Sequence, residues 1–225
     1  GVLRPHPAGR AFLTLLECAR EGCSAERYAE YLSLGQVPEE NRKQELAAKA
    51  ATAWTPPADD MLLPSQAAQE LEIEQEQLEE PEASSRRVHS RAWERLLLDA
   101  AVIGGVERWR KRLAGLDQEL ELRLADAEVD TAQTEGLRRR MLQLSELEQF
   151  ALPLIEALHA LPAQGLWGEW LDALSELAVR GLRQPEAVLG LLAELEPMRE
   201  AGPDGLQEGY GVLEERLRVL RKGTQ

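Results

Sequence analysis

The chain has 225 residues, and its 26 Lys and Arg against 40 Asp and Glu give a net charge of −14. This length suits one domain or two small ones, and a hydrophobic content of 44% supports a sizeable core, which excludes wholesale disorder. Two cysteines exclude a disulfide scaffold and a multi-thiolate metal site, and the sequence has neither a membrane-spanning apolar run nor an opening signal-peptide pattern.

Leucine and alanine dominate the apolar residues, with 40 Leu and 30 Ala against 10 Val and 3 Ile. This ratio favours helices, because Leu and Ala keep their rotamer freedom on a helix whereas β-branched side chains lose it. No alternating pattern of useful length indicates a strand. The sequence therefore predicts an all-α fold, a multi-helix bundle.

The N-terminal helical part is predicted to span residues 1–54. Pro7 suits the first turn of a helix that ends at Gly22, and Ser24 is expected to cap a second helix that ends before Pro38. A third, Ala-rich helix is predicted over 39–54. The residues expected on the buried faces of the first two helices are Phe12, Leu15, Leu16, Ala19, Tyr28, Tyr31 and Leu32.

An acidic segment follows, in which residues 50–85 contain nine acidic side chains, four prolines and no Lys or Arg. Such a composition is typical of a disordered connector, which we place at 55–85. One interpretation is an acidic arm that mimics nucleic acid or covers a basic groove. The interpretation that we favour is an insertion whose charge keeps it in solution.

Residues 86–225 are predicted to form the main helical bundle, beginning with a helix capped by Ser90 and interrupted at Gly104 and Gly105. Its expected core side is Trp93, Leu96, Leu97, Ala100 and Ile103. Two stretches follow in which apolar residues recur at helical spacing. The first begins at Val106, and the second begins after a capping box at Asp130 and ends at Pro153. We expect a long antiparallel helical hairpin, since one continuous rod of about 70 Å would need a partner along its length.

In the last third of the chain, proline and glycine separate four short predicted helices. The first two are at 154–161 and 166–182, the third begins after Pro185, and the fourth is at 206–220. The stripe expected to be buried in the second of these is Leu166, Trp170, Leu174 and Leu177. Trp167 and Trp170 could form a platform for stacked bases. Their leucine-rich surroundings favour core packing instead.

No catalytic residue, metal site or cofactor is predicted. The glycine-rich phosphate loop is absent, and His6, His89 and His159 lack the spacing of a helical metal site. Cys18 and Cys23 lie five residues apart across a helix end, where a redox-active pair is conceivable. Free thiols, either in the core or partly exposed, are the favoured interpretation.

Two basic clusters form the candidate DNA-binding site. Their residues are Arg108, Arg110, Lys111 and Arg112 in the first cluster and Arg138, Arg139 and Arg140 in the second. A looser third set is Arg86, Arg87, Arg91 and Arg95. On one face these cations would hold nucleic-acid phosphates without sequence specificity. The alternative is a mixed-charge surface, since Glu107, Glu119 and Glu121 can neutralise the first cluster along its helix.

Five segments carry a resemblance to a known family. They are residues 6–16 (HPAGRAFLTLL), 22–32 (GCSAERYAEYL), 93–97 (WERLL), 109–113 (WRKRL) and 170–177 (WLDALSEL). They resemble the helical insert of bacterial AddB-type helicase–nuclease subunits, which is comparable to the 2B region of UvrD-like helicases. The resemblance covers most of the chain apart from the acidic connector, and amphipathic helices carry it rather than catalytic motifs.

The resemblance implies a piece of a larger ATP-dependent helicase and exonuclease that acts in DNA double-strand break repair and recombination. The ATP motifs and a PD-(D/E)XK nuclease domain would lie outside this piece, so the chain itself would be non-catalytic and would position DNA or the neighbouring helicase-like and nuclease domains. We expect it to be cytoplasmic, monomeric and away from membranes. The alternative is an acidic all-helical scaffold that binds a protein partner in a groove between helices.

Overall fold

The computed structural model describes residues 6–38, 91–127, 132–202 and 204–219. Its helices are α1 (Pro7–Arg20), α2 (Ala25–Ser33), α3 (91–99), α4 (Val106–Asp126), α5 (Ala132–His159), α6 (Trp167–Gly181), α7 (Glu186–Glu194) and α8 (Leu206–Val219). A 3-10 turn spans Glu196–Met198, and two-residue strands β1 (Gln164–Gly165) and β2 (Asp204–Gly205) pair antiparallel. The predicted all-α, multi-helix fold is therefore confirmed for these residues.

The central helix of the bundle is α1, which packs against α2, α5, α7 and α8. Its apolar side chains recur every three or four residues, so Phe12, Leu15 and Leu16 lie on one face and are fully buried. Buried residues from all the described helices form one core cluster. The described parts of the predicted N-terminal part and main bundle both contribute to it, and the boundaries between the predicted domains stay a prediction.

Two turns meet at the end of α1 and the start of α4. The backbone N–H of Gly105 donates to the carbonyl of Gly22 at 2.8 Å, and the indole N–H of Trp109 donates to the carbonyl of Cys23 at 2.8 Å. Gly104 allows this contact, because a Cβ there would lie 3.3 Å from both carbonyl oxygens. The predicted glycine interruption is thus the point where α4 docks onto the turn between α1 and α2.

The predicted helical hairpin is confirmed, with α4 and α5 packed along each other. Arg110, near the start of α4, pairs with Glu156, near the end of α5, so the two helices are antiparallel. The buried residues of α4 are Trp109, Leu113, Leu116 and Leu120, which recur every three or four residues along the helix.

The predicted break at Pro153 is wrong, because α5 continues through it to His159. Proline removes a backbone donor from a helix interior, which costs about 3 kcal/mol. Here Pro153 is exposed, while Leu154 and Ile155 directly after it are fully buried. Burial of these side chains offsets the cost of the proline.

Two residues expected in the core are exposed. Ile103 is 74% exposed, because α3 ends at residue 99 and Ala101 adopts a left-handed φ of 51°, which breaks the helical period before Ile103 is reached. Leu166 is 45% exposed, because it occupies the N-cap of α6 and not its buried stripe. Ser24 does occupy the N-cap of α2, but its side chain forms no capping hydrogen bond.

Some predicted features lie outside the described residues. They are the helix at 39–54, the connector at 55–85, the caps at Ser90 and Asp130, and the side chains Arg86, Arg87 and His89.

Candidate nucleic-acid interface

The first basic cluster lies on the first two turns of α4, and all four of its cations are exposed. Trp109 marks the side of this helix that faces the core. Arg108 and Arg112 are four residues apart and therefore share one side of the helix, whereas Lys111 points away from the core. Arg110 lies on the remaining side, next to α5.

Two of the seven predicted cations are held in ion pairs. Arg110 contacts Glu107 at 2.5 Å and Glu156 at 2.7 Å, and the hydrogen bond that Arg110 donates to Glu156, with the charge of Glu107, raises the pKa of Arg110. Arg140 pairs with Asp99 of α3. Both arginines therefore join helices of the bundle, and their charges are already neutralised.

The other five cations are Arg108, Lys111, Arg112, Arg138 and Arg139. All are exposed, and none forms an ion pair with another residue in the part of the chain that the structure describes. Their charges face water and are available to an anionic ligand.

The antiparallel hairpin separates the two clusters. Glu156 lies level with Arg110, and it follows Arg139 by 17 residues (156 − 139) on α5. At a rise of about 1.5 Å per residue, the clusters are therefore about 25 Å apart along the hairpin. The structure places them at opposite ends and does not merge them into one patch.

Each cluster lies beside the acidic half of the other helix. The second half of α4 carries Asp117, Glu119, Glu121 and Asp126 and faces the start of α5, where Arg138 and Arg139 lie. The predicted neutralisation of the first cluster holds for Glu107, which pairs with Arg110, whereas Glu119 pairs with Arg123 at 2.5 Å. Part of the hairpin is thus a mixed-charge surface, as the alternative interpretation predicts.

A feature that the sequence reasoning missed is the small outer surface of α4 beside the first cluster. Ala114, Gly115 and Gln118 are exposed there, and a Cβ added at Gly115 would meet nothing within 4 Å. The signal was present in the sequence, since these residues continue the side of Lys111 at helical spacing without a carboxylate.

A groove at the meeting of the two turns has mixed charge. It is lined by Glu21, Gly22, Ser24, Ile103, Gly104, Gly105, Val106, Glu107, Arg108, Arg110, Glu156 and His159. Within the described ranges, no three His, Cys, Asp or Glu side chains come together as a metal site would require. The groove therefore shows no charge preference and no ligand set.

The thiols and tryptophans belong to the core. Cys18 and Cys23 are free and buried, and burial raises the pKa of both thiols. Their Sγ atoms donate to different carbonyls, of Ser24 at 3.3 Å and of Ile155 at 3.7 Å. Trp167 and Trp170 are 1% and 2% exposed, so their predicted packing in the core is confirmed.

Comparisons with protein-family models, with curated proteins and with solved structures find no match to this chain. In the described part of the chain, no helix combines the length and the apolar content needed to cross a bilayer.

Proposed function

We propose that this chain is a non-catalytic helical domain of a larger DNA helicase–nuclease and that it positions DNA or neighbouring domains during double-strand break repair and recombination. We also propose that the chain is part of an AddB-type subunit, that it is cytoplasmic and that it is monomeric. The five segments that resemble AddB-type subunits support the role in DNA repair and recombination.

The observation that carries the DNA role is the set of five exposed cations that form no ion pair with a described residue. The chain has 14 more acidic than basic side chains, so it contains enough carboxylates to pair with every Arg and Lys. Phosphodiesters attract such side chains without sequence preference. A duplex rises about 3.4 Å per base pair, so about eight base pairs would reach from one cluster to the other.

Binding to labelled forked DNA tests this proposal. We expect the chain to bind a fork with a duplex arm of about 20 base pairs, with a Kd in the micromolar range at low salt that weakens as salt rises. Reversal of the charge at Arg108, Arg112, Arg138 and Arg139 to Glu should abolish binding. Fluorescence anisotropy at several salt concentrations measures both effects.

The matched control is Arg10→Glu with Arg216→Glu, which reverses two exposed arginines outside both clusters. This control should weaken binding far less than an equal number of reversals within the clusters. No binding by the unaltered chain at about 50 mM salt would contradict a direct DNA role.

A second candidate is the acidic interaction scaffold. Leu98 is 78% exposed on α3 and Ile103 is 74% exposed in the turn that follows it, and contiguous exposed apolar patches are typical of surfaces that a partner covers. Stoichiometric binding to a protein that is neither a helicase-like nor a nuclease region, which Leu98→Glu with Ile103→Glu abolishes, together with absent DNA binding, would favour this candidate.

A further inference from the structure

We propose that the outer face of α4 binds the phosphodiester backbone of DNA. The residues of this face are Arg108, Lys111, Arg112, Ala114, Gly115 and Gln118. The inference rests on the proposed DNA role, and it names the surface and the part of the ligand that meet.

The charge of the α4 outer face is positive and unpaired. Arg108, Lys111 and Arg112 form no ion pair with any described residue. Two acids of the same helix are occupied, since Glu107 pairs with Arg110 and Glu119 pairs with Arg123, both at 2.5 Å, and a third, Asp117, lies towards Glu148 of α5. An anion approaching this face therefore meets three cations whose neighbouring carboxylates are already neutralised.

The shape of the α4 outer face suits a close approach by a sugar–phosphate strand. Ala114 and Gly115 are small and exposed, and the space around Gly115 is open. The amide of Gln118, one turn further on, can donate a hydrogen bond to a phosphate oxygen.

The remaining predicted cations differ from this set in their surroundings. Arg110 and Arg140 hold helices together through Glu156 and Asp99. Arg138 and Arg139 lie about 25 Å away and are two exposed cations against three at the start of α4. The structure thus assigns the stronger backbone contact to the start of α4 and a weaker one to the second cluster.

The test compares two sets of substitutions in the full chain on the same forked DNA. Replacement of Arg108, Lys111 and Arg112 by Gln should weaken binding at least about tenfold. It should also reduce the magnitude of the negative slope of log K against log salt by about 2.7, or 0.9 for each lost phosphate contact. Arg138→Gln with Arg139→Gln should change the slope by less than about 1.

A second pair of variants leaves every cation in place. Gly115→Glu adds a carboxylate to the α4 outer face and should weaken binding several-fold, whereas the neutral Gly115→Gln should bind as the unaltered chain does. Circular dichroism of both variants checks that α4 is retained.

The two possible failures are distinguishable. If the unaltered chain binds DNA, but Gly115→Glu and the triple Gln variant bind equally well, the assignment to the α4 outer face is overturned and the proposed function stands. If the unaltered chain does not bind at all, both are overturned.

Discussion

Tyr28 and Tyr31 are three residues apart on α2, and both side chains are completely buried. The ring of Tyr28 packs edge-on against Trp109, with 5.0 Å between centroids. Its hydroxyl has no hydrogen-bond partner in the described part of the chain, whereas the hydroxyl of Tyr31 donates to the carbonyl of Gly181 at 2.5 Å. The same functional group therefore has opposite energetic effects at two neighbouring positions.

Removing each hydroxyl separates these effects. Tyr28→Phe should raise the free energy of unfolding by about 1 kcal/mol, because an unpaired buried hydroxyl is lost, whereas Tyr31→Phe should lower it by about 1–2 kcal/mol, because a buried hydrogen bond is lost. Urea unfolding with an unchanged m-value measures both, and each variant is the control for the other. Equal destabilisation by the two changes would contradict the assigned contacts.

At the scale of elements, the α4–α5 hairpin contains both an attractive and a repulsive pair of charges between its two helices. Arg110 and Glu156 attract each other, while Glu148 of α5 lies near Asp117 of α4. Partial burial, and then the charge of Asp117, raise the pKa of Glu148. Because the folded chain holds this proton more tightly than the unfolded chain, Glu148 begins to cost stability as pH rises through the pKa of the unfolded chain, and the cost is complete above its folded pKa.

Glu148→Gln should therefore stabilise the hairpin at pH 7 by about 0.2–0.5 kcal/mol, the scale of a like-charge pair on a helix. The gain should shrink as pH falls through the folded pKa and should be absent below the pKa of the carboxyl in the unfolded chain, where Glu148 is protonated in both states. Thermal unfolding at pH 7 and pH 4 measures this difference. Glu121→Gln makes the same charge change at an exposed site and is the control, and a loss of stability in Glu148→Gln at pH 7 would refute the argument.

At the scale of the whole molecule, the two cysteines report on the packing of distant segments. Cys23 lies in the turn before α2, and its Sγ donates to the carbonyl of Ile155, 132 residues along the chain. Cys18 is equally buried on α1. A reagent can reach these thiols only when the helices separate, so their reactivity measures the opening of the core.

We expect a thiol-reactive disulfide reagent to label the native chain about 100-fold more slowly than an exposed thiol, and labelling to accelerate with urea in parallel with unfolding. Ser33→Cys, at an exposed position of α2, is the positive control. If both native thiols react as fast as this control, the packing of α1 and α2 on α5 is not as described.

The amino-acid sequence by itself determined the all-helical class, most of the buried stripes and the identity of the seven candidate cations. These follow from local spacing, because a period of 3.6 residues states which side chains share one side of a helix. Only the tertiary structure decided that α5 passes through Pro153 and that Ile103 is exposed. It also decided that Arg110 and Arg140 are paired, while the other five cations form no ion pair within the described part of the chain. The partners of those two arginines lie 46 and 41 residues away in the chain, and local spacing does not reveal which helix lies opposite.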